Sequence, residues 1–217
     1  MRLLYSILLL TLFISCNRIE TNTDKTNSSN ELSNKKIEFK NGDIIFQSST
    51  SGQSLAIQLA THSKYSHVGI ILERKGELFV YEAVQPVKIT PLQKFIERGD
   101  NQHYVVKRLV NSEKLITTDV AQKMKQYGKQ HLGKSYDLYF EWSDDKIYCS
   151  ELVWKIYKQV LNIEIGKLQQ LKEFDLSHPV VKEKLKERYG NEIPFEEIVI
   201  SPLSIFESPM LETVFSN

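Results

Sequence analysis

The chain has 217 residues, of which 41% are hydrophobic and 25% are charged, a composition typical of a soluble domain that is long enough to bury a core. Its 28 basic and 27 acidic residues nearly cancel, so no basic field is available to hold nucleic acid. Only two cysteines are present, whereas a zinc cluster needs several Cys and His ligands close together. We expect no metal and no other cofactor.

The N-terminal residues MRLLYSILLLTLFISC have the pattern of a bacterial export signal. Arg2 precedes an apolar run of about ten residues, which is too short to cross a membrane. The run ends in a tetrapeptide, Phe13 to Cys16, that resembles a lipobox. We expect a signal peptide with a lipobox over residues 1–16, lipidation at Cys16, and a membrane-anchored lipoprotein of the bacterial cell envelope. The alternative is an ordinary cleaved signal in which Cys16 is incidental.

The segment that follows, residues 17–36, is rich in Asn, Ser, Thr and charge and has almost no large apolar residues. Such a segment cannot bury enough apolar surface to fold by itself. It is predicted to be a flexible tether, and residues 37–217 are predicted to form the folded domain.

The first half of this domain is predicted to be mainly strands. The strands cover residues 42–46, 66–72, 77–84 and 103–109, and helices over 51–63 and 91–99 lie between them. The turn-like residues ERKGE join the second and third strands, which therefore read as a β-hairpin.

The second half of the domain is predicted to be mainly helical. A long helix is expected over 112–131, a second from Cys149, a third over 178–190, and a last strand over 195–201. Strands that come mostly first and are joined by hairpins favour an α+β fold, with an antiparallel sheet packed against helices.

Cys149 lies in the stretch KIYCSELVWKIYK, at the head of a predicted amphipathic helix. The free backbone N–H groups and the positive dipole end of a helix start both favour a thiolate. If Cys16 carries lipid, Cys149 has no disulfide partner within the chain, and a lone reduced thiol in an exported protein needs a reason. Cys149 is therefore a candidate nucleophile; the alternative is a small core residue.

His67 is the candidate base, because it begins the most apolar predicted strand, HVGIIL. A hairpin turn centred on Arg74 and Lys75 would place Glu82 directly opposite His67 and on the same face. Glu82 interrupts an apolar strand, where a carboxylate is costly unless it has a partner. The alternatives are that Glu82 faces solvent on an edge strand, or that a bulge shifts the pairing by one residue.

These three side chains would suit a thiol hydrolase. Glu82 would hold the ring tautomer of His67, and His67 would take the proton from Cys149 and later give one to the leaving group. Cys149 would attack a carbonyl carbon while backbone N–H groups at the helix start stabilise the oxyanion.

The motifs NGDIIF, YSHVGIIL, YEAV, GKSYD and YCSELVWKIY, in this order, resemble the permuted papain-like amidases of the YiiX/YaeF type, relatives of the NlpC-type cell-wall cysteine peptidases. The resemblance implies a circularly permuted papain-like core, a triad of Cys149, His67 and Glu82, and a thioester intermediate. It places Tyr148 in the site wall or oxyanion region, although Tyr148 could equally be a core aromatic residue. Tyr136 and Asp137 match the family segment GK-x-YD and are read as structural.

The resemblance also implies the candidate functions. The first is a cell-envelope cysteine hydrolase that cleaves an amide bond, with cell-wall peptides as substrates. The second is a lipid acyl ester or amide hydrolase, or an acyltransferase, of the same fold. An apolar groove beside Cys149 would favour this second function, and a polar pocket with a charged specificity residue would favour the first. The third is a non-catalytic binding module, and the oligomeric state is left open.

Overall fold

An antiparallel sheet of six strands lies at the centre of the computed structural model, which describes residues 38–217. The spatial order of the strands is β4-β3-β2-β1-β5-β8. The strands are β1 (Ile44–Gln47), β2 (His67–Arg74), β3 (Glu77–Glu82), β4 (Lys88–Pro91), β5 (Tyr104–Leu109) and β8 (Leu211–Ser216). The predicted signal peptide, Cys16 lipidation and tether lie outside the described residues.

Seven α-helices and a minor two-stranded sheet surround the central sheet within the described residues. The helices are α1 (Gly52–Thr61), α2 (Leu92–Arg98), α3 (Ser112–Leu115), α4 (Thr118–Lys129), α5 (Cys149–Leu161), α6 (Pro179–Tyr189) and α7 (Pro202–Phe206). The minor sheet pairs β6 (Gln169–Gln170) with β7 (Ile198–Val199). No helix of residues 38–217 combines the length and the apolar character that a membrane crossing requires.

The larger core lies between one face of the sheet and helix α5. Alternate strand residues point into this core, as the two-residue period of a strand requires. Its strand members include Ile44, Phe46, Val68, Ile70, Leu72 and Tyr81. From α5, Leu152, Val153 and Ile156 are fully buried against them, and each such side chain stabilises the fold by about 1.5–3 kcal/mol. This packing fixes the start of α5 relative to the sheet.

Two smaller clusters complete the packing. Helix α2 covers the opposite face of the sheet through the fully buried Phe95. Helices α1 and α6 form a separate layer, in which Val181 and Leu185 of α6 pack with Leu59 of α1. Because α1 and α6 lie apart from the sheet, a cavity is left between them and the start of α5.

The predicted register of the β2–β3 hairpin is wrong by two residues. Arg74 pairs with Glu77, and the turn residues are Lys75 and Gly76, with φ angles of 54° and 82°. A two-residue hairpin turn of this kind requires positive φ at both central positions, which glycine adopts most readily. Gly76 is the sequence signal that identifies this turn. A shift of two residues leaves every side chain on its predicted face.

Two further expectations need correction. The helix predicted over 112–131 is broken, because the Thr117 side chain accepts a hydrogen bond from the Val120 amide and begins α4 as a new helix. The strand predicted over 195–201 is reduced to the two residues of β7. Strands β4 and β8, which form the two edges of the sheet, were not predicted. The α+β class with an antiparallel sheet is confirmed.

Candidate active site

Cys149 is the first residue of α5, and its neighbours fasten this helix start to the segment before α7. The Tyr148 hydroxyl accepts a hydrogen bond from the Ile200 amide at 3.0 Å, and the Ser150 hydroxyl donates to the Ile200 carbonyl at 2.7 Å. The first backbone N–H groups of a helix have no partner within the helix. Cys149 is therefore held rigidly at the point where the helix dipole and the free amides favour a negative charge.

His67 is the first residue of β2, and it joins the other two candidate residues. Its Nε2 lies 2.7 Å from a carboxylate oxygen of Glu82, and its ring stacks on Phe95 with 5.6 Å between the centroids. The other side of the ring interacts with the Cys149 thiol. The structure therefore brings together all three residues proposed from the sequence, with the imidazole between the carboxylate and the sulfur.

Glu82 reaches His67 diagonally across the hairpin instead of directly. In the observed register the position opposite Glu82 is Gly69, and a Cβ atom added there would lie 2.4 Å from Val80 and 3.5 Å from the Glu82 Cβ. The missing side chain leaves room for the carboxylate to extend toward His67. Long side chains on one face can reach such diagonal neighbours.

The Glu82 carboxylate is fully buried and is surrounded by donors. Besides His67, it accepts hydrogen bonds from the Thr90 hydroxyl at 2.6 Å and from the Arg98 guanidinium. Burial alone would raise the pKa of Glu82, but the hydrogen bonds and charge of His67, together with Arg98 and Thr90, lower it to about 2. The carboxylate is thus ionised throughout the physiological pH range.

The imidazole and the thiol shift each other toward an ion pair. Burial would lower the pKa of His67, but its hydrogen bonds to Cys149 and Glu82 raise it to about 9. Burial would raise the pKa of the Cys149 thiol, yet the His67 partner, the Val68 amide and the Tyr136 hydroxyl hold it below its ordinary value. A thiolate beside an imidazolium is the reactive form of a catalytic cysteine.

Tyr136 lies in the site, although it was read as structural from the sequence. Its hydroxyl contacts the Cys149 sulfur and accepts a hydrogen bond of 3.0 Å from the Gln53 side-chain amide. Burial and the nearby Cys149 hold the pKa of Tyr136 well above its ordinary value, so the hydroxyl keeps its proton and can donate it in a hydrogen bond. Asp137, in contrast, is fully buried and accepts a hydrogen bond from the Tyr139 amide.

Tyr148 is buried beside the nucleophile, and its ring forms part of the cavity wall. The ring packs edge-on against Phe140, with 5.1 Å between the centroids, while its hydroxyl serves the Ile200 amide. Tyr148 therefore lies in the cavity wall and is also a member of the larger core. Because the Tyr148 hydroxyl is bonded to the Ile200 amide, the structure gives no support to a role of this hydroxyl in binding the oxyanion.

A cavity with almost entirely apolar walls opens beside Cys149. Residues from α1, the segment 136–140, the start of α5, the segment 171–188 and the segment 199–202 form its walls. The apolar wall residues include Ala56, Ile57, Phe140, Leu171, Phe174, Leu176, Val181, Leu185 and Val199. The sulfur atom thus lies at one side of a space suited to an apolar group.

Four residues of the site could not be found by sequence reasoning alone: Gln53, Thr90, Arg98 and Arg188. They come from α1, β4, α2 and α6, and none stands in a recognisable motif. Tyr136 did carry a signal, since it belongs to the segment GK-x-YD. Among residues 38–217, no group of three or more His, Cys, Asp or Glu side chains is arranged to hold a metal ion.

A cysteine at a helix start, facing a histidine and a carboxylate on an antiparallel sheet, is the arrangement of the papain-like thiol hydrolases. Here the strands that carry His67 and Glu82 precede the helix of Cys149. The chain belongs to the family described as "Permuted papain-like amidase enzyme, YaeF/YiiX, C92 family", whose model matches residues 38–215. At the family level it is thus a cysteine-type amidase.

Two relatives support this assignment. The YiiX protein of Escherichia coli (strain K12) is 53% identical over 173 residues, which cover 80% of this chain and 84% of that protein. The crystal structure of a protein named metalloprotein yiiX, from Escherichia coli O157:H7, superposes with a TM-score of 0.78 at 52% identity. The match covers 82% of this chain and 97% of the other.

Proposed function

We propose that this protein is a cell-envelope thiol hydrolase that cleaves an amide bond through Cys149, His67 and Glu82. The observation that carries the proposal is the contact chain from the Cys149 sulfur through the His67 ring to the Glu82 carboxylate, with 2.7 Å between His67 and Glu82. A buried structural cysteine needs neither a raised imidazole pKa nor a buried carboxylate behind the ring.

The reaction would proceed in two steps. In acylation, the thiolate forms a C–S bond to the carbonyl carbon, the C–N bond breaks, and His67 gives its proton to the departing amine. In deacylation, His67 takes a proton from water, the new C–O bond forms, and the C–S bond of the thioester breaks. Glu82 orients the ring and stabilises its positive charge in both steps.

The developing oxyanion would be stabilised at the start of α5. The Cys149 backbone N–H is the nearest such donor by helix geometry. The Tyr136 hydroxyl contacts the sulfur, and the Gln53 side-chain amide donates to that hydroxyl and lines the same cavity. Both can add side-chain donors. Preorganised donors of this kind lower the barrier because they are in place before charge develops.

The cavity favours an acyl substrate over a cell-wall peptide. Its walls are almost entirely apolar, whereas a peptide of the cell wall offers mainly polar groups. An acyl chain of a lipid amide or ester would bury apolar area against these walls, and each buried methylene would contribute about 0.8 kcal/mol. The cell-wall peptide is retained as the second candidate, supported by the two cationic side chains on the cavity wall, Lys184 and Arg188.

The proposed location rests on the sequence of residues 1–36. Acylation of Cys16 would hold the hydrolase at the membrane surface, where lipid amides and esters are found. Labelling of the wild type and of Cys16→Ser with a clickable fatty acid tests this location. Loss of the label in Cys16→Ser would support it, and an equal label in both proteins would contradict it.

The related protein of Escherichia coli O157:H7 is named a metalloprotein, but the described residues of this chain do not fit a resident metal. Within residues 38–217, no set of three or more ligating side chains converges. The proposed steps therefore use the side chains and backbone amides of this chain together with substrate and water.

The decisive experiment is a substrate screen with the domain 37–217 and its Cys149→Ala variant. A mixture of N-acyl amino acids, lipid amides and esters, and wall peptides is incubated with each protein, and the products are identified by mass spectrometry. We expect shortened acyl substrates only with the intact thiol. Products that form equally in the Cys149→Ala sample, or none in either, would contradict the proposal and favour a binding module.

A further inference from the structure

Arg188 stands apart from the other arginines of the described chain. Among the four arginines of residues 38–217, Arg98 and Arg108 pair with buried carboxylates, and Arg74 is exposed. Arg188 is half-buried, and within residues 38–217 it has no carboxylate partner in ion-pair range. A half-buried guanidinium without a counter-charge is costly, so it is typical of a binding function.

The position of Arg188 relates it directly to the nucleophile. It lies on the wall of the cavity that Cys149 also lines, and its guanidinium sits 5.0 Å from the ring centroid of Phe140. Phe140 in turn contacts Tyr148, the residue before Cys149. The cation–π contact holds one face of the guanidinium, and no carboxylate of residues 38–217 lies in ion-pair range of its N–H groups.

Apart from the Cys149 thiolate, the charged side chains of the cavity wall are both cationic. Its residues include Arg188 and Lys184 but no Asp or Glu. Lys184 is neutralised by Glu187, one helical turn away, so Arg188 supplies the free positive charge. An apolar space with one unneutralised guanidinium is complementary to a molecule with an apolar chain and a single anionic group.

We propose that Arg188 determines specificity by binding a carboxylate or phosphate of the substrate, so that the substrate class is an anionic acyl compound. This inference rests on the proposed function, because it assumes that the acyl carbonyl is attacked by Cys149. The planar guanidinium binds carboxylates and phosphates alike through two parallel hydrogen bonds. The charge would hold the head of the substrate while the apolar walls hold its chain.

Two matched pairs of amides test the proposal and separate the two anions. N-Dodecanoylglycine is compared with its neutral methylamide, and phosphorylated N-dodecanoylethanolamine with the unphosphorylated compound. We expect kcat/KM of the wild type to favour the anionic member of at least one pair, and Arg188→Ala to lower that value roughly 10–100-fold. The neutral members should change less than about threefold, since they never contacted the guanidinium.

Two control variants separate specificity from folding. Arg188→Lys keeps the charge and should restore part of the preference, and Lys186→Ala removes an exposed cation from the same helix and should leave it unchanged. Equal losses on neutral and anionic substrates in Arg188→Ala would overturn the proposal. So would a wild type that shows no preference for an anion in either pair.

A binding measurement keeps the inference independent of turnover. Titration calorimetry with N-dodecanoylglycine and phosphorylated N-dodecanoylethanolamine uses the inactive Cys149→Ala protein, with and without Arg188→Ala. Tight binding lost with Arg188, but no thiol-dependent hydrolysis in the wild type, would support the anion site and contradict the hydrolase. Thiol-dependent hydrolysis that does not change in Arg188→Ala would support the hydrolase and contradict the anion site.

Discussion

Two buried glutamates flank the candidate nucleophile, and their pKa values shift in opposite directions. Glu82, at the end of β3, and Glu151, in the first turn of α5, are both fully buried. The pKa of Glu82 is lowered to about 2, whereas that of Glu151 is raised to about 7. The same residue type at similar depth therefore serves two purposes within one site.

The partners of each carboxylate explain the difference. Glu82 is bonded to His67 and Arg98, so two cationic partners outweigh the cost of its burial. Glu151 has a single cation, Lys155 at 2.8 Å, which also pairs with Asp144. Burial is the largest contribution to the raised pKa of Glu151, and the nearby Asp137 raises it further. Depth alone does not set ionisation, but the number and sign of the partners do.

The two glutamates therefore have different roles around Cys149. The permanently charged Glu82 supports the imidazolium, and it acts on the thiolate only through His67. Glu151 accepts a hydrogen bond from the Tyr148 amide at 3.2 Å and so caps the helix. Because its pKa is near neutrality, Glu151 limits the negative charge that would otherwise oppose a thiolate two residues away.

The largest expected effect is a difference in catalytic activity between the variants of the two glutamates. Glu82→Gln keeps the shape but removes the charge that orients and stabilises the His67 imidazolium, and we expect kcat/KM to fall about 10²–10⁴-fold. Glu151→Gln mimics a protonated form that the wild type already populates near pH 7, and the activity should stay within roughly threefold. Initial rates at pH 7 on the substrate identified by the screen measure both. Similar losses in the two variants would show that the contrast is wrong.

The next effect concerns the reactivity of the thiol as a function of pH. In the wild type, the imidazolium persists up to its pKa of about 9, so iodoacetamide should alkylate Cys149 readily from mildly acidic pH upward. Glu82→Gln removes an anion that raises the His67 pKa, so this pKa should fall by about one unit or more. The plateau of fast alkylation below pH 8 should then shrink, which intact-mass spectrometry can follow. Glu151→Gln serves as the matched control and should preserve the plateau, and an unchanged plateau in Glu82→Gln would contradict the role of the carboxylate.

A smaller effect appears in stability. The folded pKa of Glu151 is about 7 and lies above the ordinary value of 4.5, so the folded state keeps a proton that the unfolded state releases between these two pH values. Stability is therefore lost as the pH rises through this window. Glu151→Gln removes the loss, and its free energy of unfolding relative to the wild type should improve by on the order of 3 kcal/mol from pH 4 to pH 8.

Urea denaturation at pH 4 and pH 8 measures this difference, and the same measurement on Glu82→Gln at about pH 2.5 and pH 5 should show the opposite trend. Glu82 has a lowered pKa, so it stabilises the fold above about pH 4.5, and this contribution is lost as the pH falls toward 2. The Gln variant should accordingly lose most relative to the wild type above pH 4.5. A difference that does not vary with pH in either variant would contradict the assigned shifts.

Much of the site could be predicted because local sequence patterns identify the elements that hold its residues. The apolar stripe of α5 identifies a helix that begins at Cys149, and the apolar run from His67 identifies β2. The face shared by His67 and Glu82 survived a register error of two residues because side chains alternate with a period of two. An error of one residue would have placed the carboxylate on the other face.

The remaining parts depend on contacts between different elements of the fold. The edge strand β4 brings Thr90, and α2 brings Arg98, to a carboxylate that each meets only in the folded chain. Gln53 reaches Tyr136 across 83 positions of sequence. A single sequence without covarying relatives holds no local pattern for such pairs. For the same reason the apolar cavity, which five separate segments build, could be stated only as an alternative.

The smallest expected effect tests whether a neutral hydrogen-bond donor, and not only the two cations, stabilises the ionised Glu82 carboxylate. Thr90 is buried, and its hydroxyl donates to Glu82 at 2.6 Å. Thr90→Val keeps the shape and leaves the carboxylate with one donor fewer, which should cost about 1.5–3 kcal/mol of unfolding free energy above pH 4.5 and reduce activity only a few-fold. Thr90→Ser retains the hydroxyl and should recover most of both. If Val and Ser variants unfold at the same urea concentration, the two cations alone hold Glu82 ionised, and the contrast with Glu151 reduces to a count of positive charges.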